Sequence, residues 1–85
     1  SQNKIRLIGG DTVIRREDAY GPYFSIFPLG QEIYSLSIEG AKYPLHDHQL
    51  TPYDSLCVSN QFEEDEVKIT FGSGIVILME TRDKK

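Results

Sequence analysis

Tryptophan is absent from this sequence, cysteine and methionine occur once each, and histidine occurs twice. With Cys57 alone, no intramolecular disulfide can form, so an 85-residue chain must rest on its apolar core, and a reducing compartment is expected. Long apolar runs are missing as well. Nothing approaches the ~20 residues with which a helix crosses a bilayer, and the opening SQNKIRLIGG lacks the apolar stretch of a signal peptide. A cytoplasmic protein with no membrane partner is therefore expected. Cations are scarce, nine Lys and Arg against thirteen Asp and Glu, for a net charge of −4. Binding to nucleic acid without regard to sequence needs clustered cations that displace counterions, so no nucleic-acid partner is expected. The 3.6-residue apolar period of an amphipathic helix is also missing from every window of eleven residues or more.

What is present is a folded composition, 39% hydrophobic with five Tyr and four Phe. A chain this short buries only a little over ~60% of its unfolded surface, so the core is thin and self-association is expected to add to it. Short alternating runs lie between Gly, Pro, Asn and Asp clusters and read as strands. Residues 4–8 and 12–15 flank Gly9-Gly10-Asp11 as a hairpin, residues 16–19 form one helical turn, and residues 23–27 stop at Pro28-Leu29-Gly30. In residues 32–39, Tyr34, Leu36 and Ile38 share one face and Ser35, Ser37 and Glu39 the other. In residues 55–59, Leu56 and Val58 point inward and Cys57 lies on the serine side. A C-terminal hairpin over residues 67–80 turns at Gly72-Ser73, which sets Ile69 opposite Val76 and Val67 opposite Leu78, or at Ser73-Gly74, which moves the pairing by two residues and keeps the same faces, with residues 75–79 at the centre of the core. Residues 81–85 form a frayed charged tail. These features predict a single all-β domain over 1–85, a small barrel or two-layer sandwich of six or seven short antiparallel strands.

Both histidines lie in one stretch, YPLHDHQLTPYDS. On extended backbone His46 and His48 project to one side, and with Asp54 as a third ligand they could hold a transition metal. Gly40 followed by His46-Asp47-His48 resembles the opening of the first cupin motif over fewer than ten residues. The glutamate of that motif is replaced by Pro52 and Tyr53, and its second motif has no histidine to match after residue 54. A polar loop between strands, bounded by Pro44 and Pro52, accounts for the same letters, so no metal and no cofactor are expected.

The densest charge is Glu63-Glu64-Asp65-Glu66, which lacks the alternating ligands and tight-turn glycine of a calcium loop. It suits the steering of a basic partner. Arg15, Arg16, Tyr20 and Tyr23, with Tyr53 further on, have the chemistry of binding hot spots, because Arg and Tyr combine contact area with hydrogen bonds. No Gly-rich phosphate loop opens a helix, and Cys57 has no activating neighbour in sequence. These readings predict a protein that is not an enzyme: a non-catalytic protein-protein interaction or assembly module, self-associating, with Arg15, Arg16, Tyr20, Tyr23, Tyr53, Glu63, Glu64 and Asp65 meeting the partner. The basic N-terminal hairpin of one copy would meet the acidic loop of another. The alternatives are a small metal- or ligand-binding β protein using His46 and His48, and an acidic inhibitor or immunity-type protein.

Overall fold

The computed structural model describes residues 3–54 and 57–82. Eight strands follow in chain order: β1 Asn3–Ile8, β2 Thr12–Arg15, β3 Tyr23–Leu29, β4 Ile33–Glu39, β5 Leu45–Leu50, β6 Asn60–Gln61, β7 Glu66–Thr70 and β8 Ile75–Thr81. One 3₁₀ turn, Arg16–Asp18, separates β2 from β3. The strands form two antiparallel four-stranded sheets, ordered β1-β8-β3-β6 and β2-β7-β4-β5. Alternation sends Ile8, Phe24, Ile26, Val76 and Leu78 of the first sheet toward Ile14, Ile33, Leu36, Ile38, Leu50, Val67 and Ile69 of the second, and all are buried. Each such side chain contributes about 1.5–3 kcal/mol on leaving water, and this layer is the source of the fold's stability. Among the described residues no helix is long and apolar enough to cross a membrane.

The expected all-β sandwich is therefore present, with eight strands in place of six or seven. Both expected end hairpins are absent. β1 pairs with β8 and β2 with β7, so Gly9-Gly10-Asp11 carries the chain from one sheet to the other. Likewise β7 pairs with β2 and β4, whereas β8 pairs with β1 and β3, so Gly72-Ser73-Gly74 is a corner between layers. Ile69 and Val76 are not strand partners. They face each other's layers across the core, which the same inward alternation permits.

Smaller differences have local causes. Ser35 has φ of +60°, and the pairing of β4 with β5 shifts between Ile33 and Leu36. The irregularity turns Ile33 inward and leaves Tyr34 58% exposed, where an inward tyrosine was expected. Pro28 does not end β3, which continues to Leu29. Residues 45–50 are the edge strand β5, where a loop was expected. The expected strand over 55–59 is reversed where it can be seen: Cys57 is 1% exposed and Val58 42% exposed, outside any strand, while residues 55 and 56 lie outside the described residues. Thr81, assigned to a frayed tail, is the buried last residue of β8.

Candidate functional site

Residues 40–43 run antiparallel to residues 60–63 and extend the short strand β6 into a ribbon at one end of the sandwich. Its hydrogen bonds run from Lys42 N to Gln61 O (2.8 Å) and from Glu63 N and Glu64 N to Gly40 O (2.9 Å each), with a bridge between Ala41 and Phe62. Gly40 has φ of +88°, and a Cβ there would overlap the Glu66 carbonyl oxygen, so only glycine fits. Phe62 anchors the ribbon edge-on against Phe24, the ring centres 5.6 Å apart.

The side chain of Asn60 fixes the far end of this ribbon. It is 1% exposed, its Oδ1 accepts from Tyr43 N (3.0 Å) and Gln61 N (2.9 Å), and its Nδ2 donates to Tyr43 O (2.9 Å). Both backbone groups of Tyr43 are thus held by one buried amide, with no polar atom left over. Beside it Ser59 sits at φ of +56°, a conformation uncommon for serine, with its N–H donated to Ser25 Oγ (2.8 Å). The clamped backbone leaves the Tyr43 ring half in solvent, with Lys42 Nζ 5.5 Å from its centre. The Tyr43 ring is thus a rigidly mounted aromatic face whose present cation partner is the Lys42 ammonium.

The residues singled out from sequence are distributed over several places. Arg15, Arg16 and Asp65 do come together, lining with Glu17 and Glu66 a recess of about 320 Å³. The cations and acids expected to join two copies meet within one chain. Arg15 Nε is 3.6 Å from Glu66 Oε2, Arg16 Nη2 donates to Phe62 O (3.1 Å) and Arg16 N to Asp65 O (2.8 Å). Tyr20 is elsewhere: its N–H donates to the buried Glu80 carboxylate (2.9 Å), and the Arg82 guanidinium lies 4.3 Å from its ring centre. Tyr23 is a half-buried member of β3 paired with Gln61 and Thr81, and Tyr53 is 95% exposed on the turn after β5.

His46 and His48 lie on β5 but are not matched as metal ligands. Asp47 between them has φ of +51° and donates its N–H to Ser37 Oγ (3.0 Å), which breaks the simple alternation. His46 is exposed, and His48 is paired through Nε2 with Asp54 Oδ2. Among the described residues no three His, Cys, Asp or Glu groups are placed to hold an ion. Burial, with the Asp54 charge second, pushes the Cys57 thiol up to about 12, opposite to what a nucleophile requires.

The buried polar residues Asn60, Ser25 and Glu80 were invisible to sequence reasoning. No periodicity marks them, because their burial depends on segments 17 to 60 residues away in the chain.

Comparison with known proteins gives the arrangement its context. The crystal structure of thiamine pyrophosphokinase from Bacillus subtilis superimposes with a TM-score of 0.87 at 29% identity, covering 96% of this chain and 38% of that one. Thiamin pyrophosphokinase from Geobacillus thermodenitrificans gives 0.84 at 25% identity, over 99% of this chain and 39% of its own. In sequence, the Bacillus subtilis enzyme is 29% identical over 82 residues, and the chain spans only 38% of that relative's length. These relatives are enzymes, so the readings as a non-catalytic protein-interaction or assembly module and as a non-enzyme are overturned. Composition could not reveal this, because the sequence of residues 1–85 carries no catalytic motif that spacing alone would mark. The family profile of the thiamin pyrophosphokinase vitamin B1 binding domain matches residues 11–76, most of the chain, and this protein belongs to that family.

Proposed function

We propose that this domain holds thiamine within a thiamine pyrophosphokinase and presents it for transfer of a pyrophosphoryl group. The match of the vitamin B1 binding domain over residues 11–76 carries the reading. The ribbon around Asn60 supports a location. Thiamine is a thiazolium cation joined to a flat aminopyrimidine, and Tyr43 offers a ring face whose backbone the Asn60 amide immobilises at both ends. A thiazolium on that face would take the place of the Lys42 ammonium. The strained Ser59 is held next to it, where a backbone outlier is consistent with a ligand contact.

The domain's contribution to the reaction is positioning, which lowers the barrier by fixing the acceptor against the donor. In this reading the domain's part is the thiamine acceptor, as the description of the matching family has it. The free Cys57 suits a cytoplasmic setting.

Calorimetric titration of thiamine into the protein that carries this domain tests the reading. Replacing Tyr43 by Ala is expected to weaken thiamine binding by about tenfold, the worth of ~1.4 kcal/mol of lost ring contact, and to leave donor binding unchanged. An unaltered thiamine affinity would remove Tyr43 from the site. Absence of thiamine binding by the unmodified protein would end the functional reading itself.

A further inference from the structure

One hydroxyl of β3 takes no part in the core between the sheets. Alternation along this strand sends Phe24 and Ile26 into that core and turns Ser25 to the outer face, where Met79 is its cross-strand neighbour. Ser25 is nevertheless only 3% exposed. The chain leading into β6 comes against it, and the register of that approach is uneven. Phe24 pairs with Asn60, and Ile26 N donates to Cys57 O (2.9 Å), so two steps along β3 face three along the opposite chain. This is the count of a β-bulge, in which one residue is left over and loses its place in the ladder. The surplus falls between Cys57 and Asn60, and there Ser59 adopts its φ of +56°. Its N–H, which the uneven ladder leaves over, is taken up by the Ser25 hydroxyl at 2.8 Å.

We propose that Ser25 is a positioning residue for thiamine binding, its hydroxyl holding the bulge that delivers Asn60 to the backbone of Tyr43. The inference rests on the functional reading above. Serine has no intrinsic preference for a positive φ, so the conformation of Ser59 persists only where its surroundings impose it. Ser25 imposes it from a strand that is paired with β8 along its whole length and anchored by the buried Phe24 and Ile26 on either side. Without the hydroxyl, Ser59 is free to return toward negative φ, which turns the peptide that joins it to Asn60. The Asn60 amide in turn holds both backbone groups of Tyr43, so a rotation at Ser59 is passed on to the aromatic face. Ser25 acts through these two residues and meets no ligand itself. Bulges recur beside binding and catalytic sites because they re-aim the side chains that follow them, and here the residue re-aimed is the one that fixes the ribbon.

The test uses the whole protein that carries this domain, with Ser25→Ala and Ser25→Thr compared well below their unfolding midpoints. Ser25→Ala is expected to raise the thiamine KM about tenfold and to leave the donor KM unchanged, because only the acceptor's seat is displaced. Ser25→Thr keeps a hydroxyl at the same place and is expected to recover most of that loss. An unchanged thiamine KM in Ser25→Ala overturns the inference, and so does a fall in kcat alone, which reports a smaller folded fraction. Failure of Ser25→Thr to recover the thiamine KM, with its unfolding midpoint retained, overturns the role of the hydroxyl. Should Ser25→Ala fail to fold, amide hydrogen exchange on the unmodified protein reads the same link: thiamine is expected to slow exchange at Ser59 N–H about tenfold and to leave the amides of β1 unchanged. Equal exchange at Ser59 with and without thiamine overturns the inference. Calorimetric titration of thiamine into the unmodified protein separates the two claims. Normal binding that Ser25→Ala leaves intact sinks only the role of Ser25, whereas no binding by the unmodified protein sinks the functional reading and this inference with it.

Discussion

Asn60 shows how one residue can decide a local structure. Its amide satisfies three backbone groups at once, two of them on Tyr43, seventeen positions earlier. Asn60→Ala would strand those groups in a buried place, and a loss of about 2–4 kcal/mol in urea unfolding is expected. Asn60→Asp keeps the acceptor but buries a carboxylate oxygen against the Tyr43 carbonyl, and should lose at least as much at neutral pH. Cys57 gives a second prediction at this scale. Its thiol is raised from 9.0 to about 12 in the folded protein, so folding favours the neutral form. The unfolded chain ionises first as pH rises past 9, and the stabilisation is complete below that point and lost progressively toward 12. Relative to Cys57→Ala, the unmodified protein should therefore lose unfolding midpoint between pH 9 and 12 and show no change between pH 6 and 8. Neither residue was legible in advance. Period-2 alternation placed Cys57 outside, and no local pattern connects Asn60 to Tyr43.

At the level of the strand, alternation was readable and partnership was not. Val67, Ile69 and Phe71 are all buried, as their spacing with Glu66, Lys68 and Thr70 implied. Yet glycine-rich turns state only that the chain reverses, and do not say whether it returns within a sheet or crosses to the other layer. Both end hairpins were misread for that reason. In β4, one positive φ at Ser35 was enough to exchange Tyr34 for Ile33 on the inner face. Gly40 tests how far an element depends on a single backbone conformation. Gly40→Ala must hold an unfavourable φ of +88° and displace the Glu66 carbonyl, so destabilisation of more than about 2 kcal/mol is expected by thermal or urea unfolding. Because Gly40 O also receives Glu63 N and Glu64 N, thiamine binding should weaken in the same variant.

Among the described residues, only β4 and β5 are neighbours both in sequence and in a sheet; every other pairing there joins strands distant along the chain. Closing such loops costs entropy before contacts return it, so refolding should occupy milliseconds to seconds, slower than helical domains of this size. Stopped-flow refolding from urea checks this, and a phase of microseconds would contradict the topology. The fold class was legible because strand periodicity and the shortage of helical patterning are properties of composition and order. The proposed binding role was not, because the ribbon that forms the candidate site exists only once residues 40–43 and 60–63 have met. A final consequence follows from the pairing of β1 with β8. Asn3 and Thr81 stand opposite each other as neighbours across two strands, so the peptide backbone comes in and goes out through the same doorway. A linker of a few residues could join those two points, and new termini could be opened at Gly9-Gly10, where nothing crowds the backbone, giving a circular permutant with the same two layers.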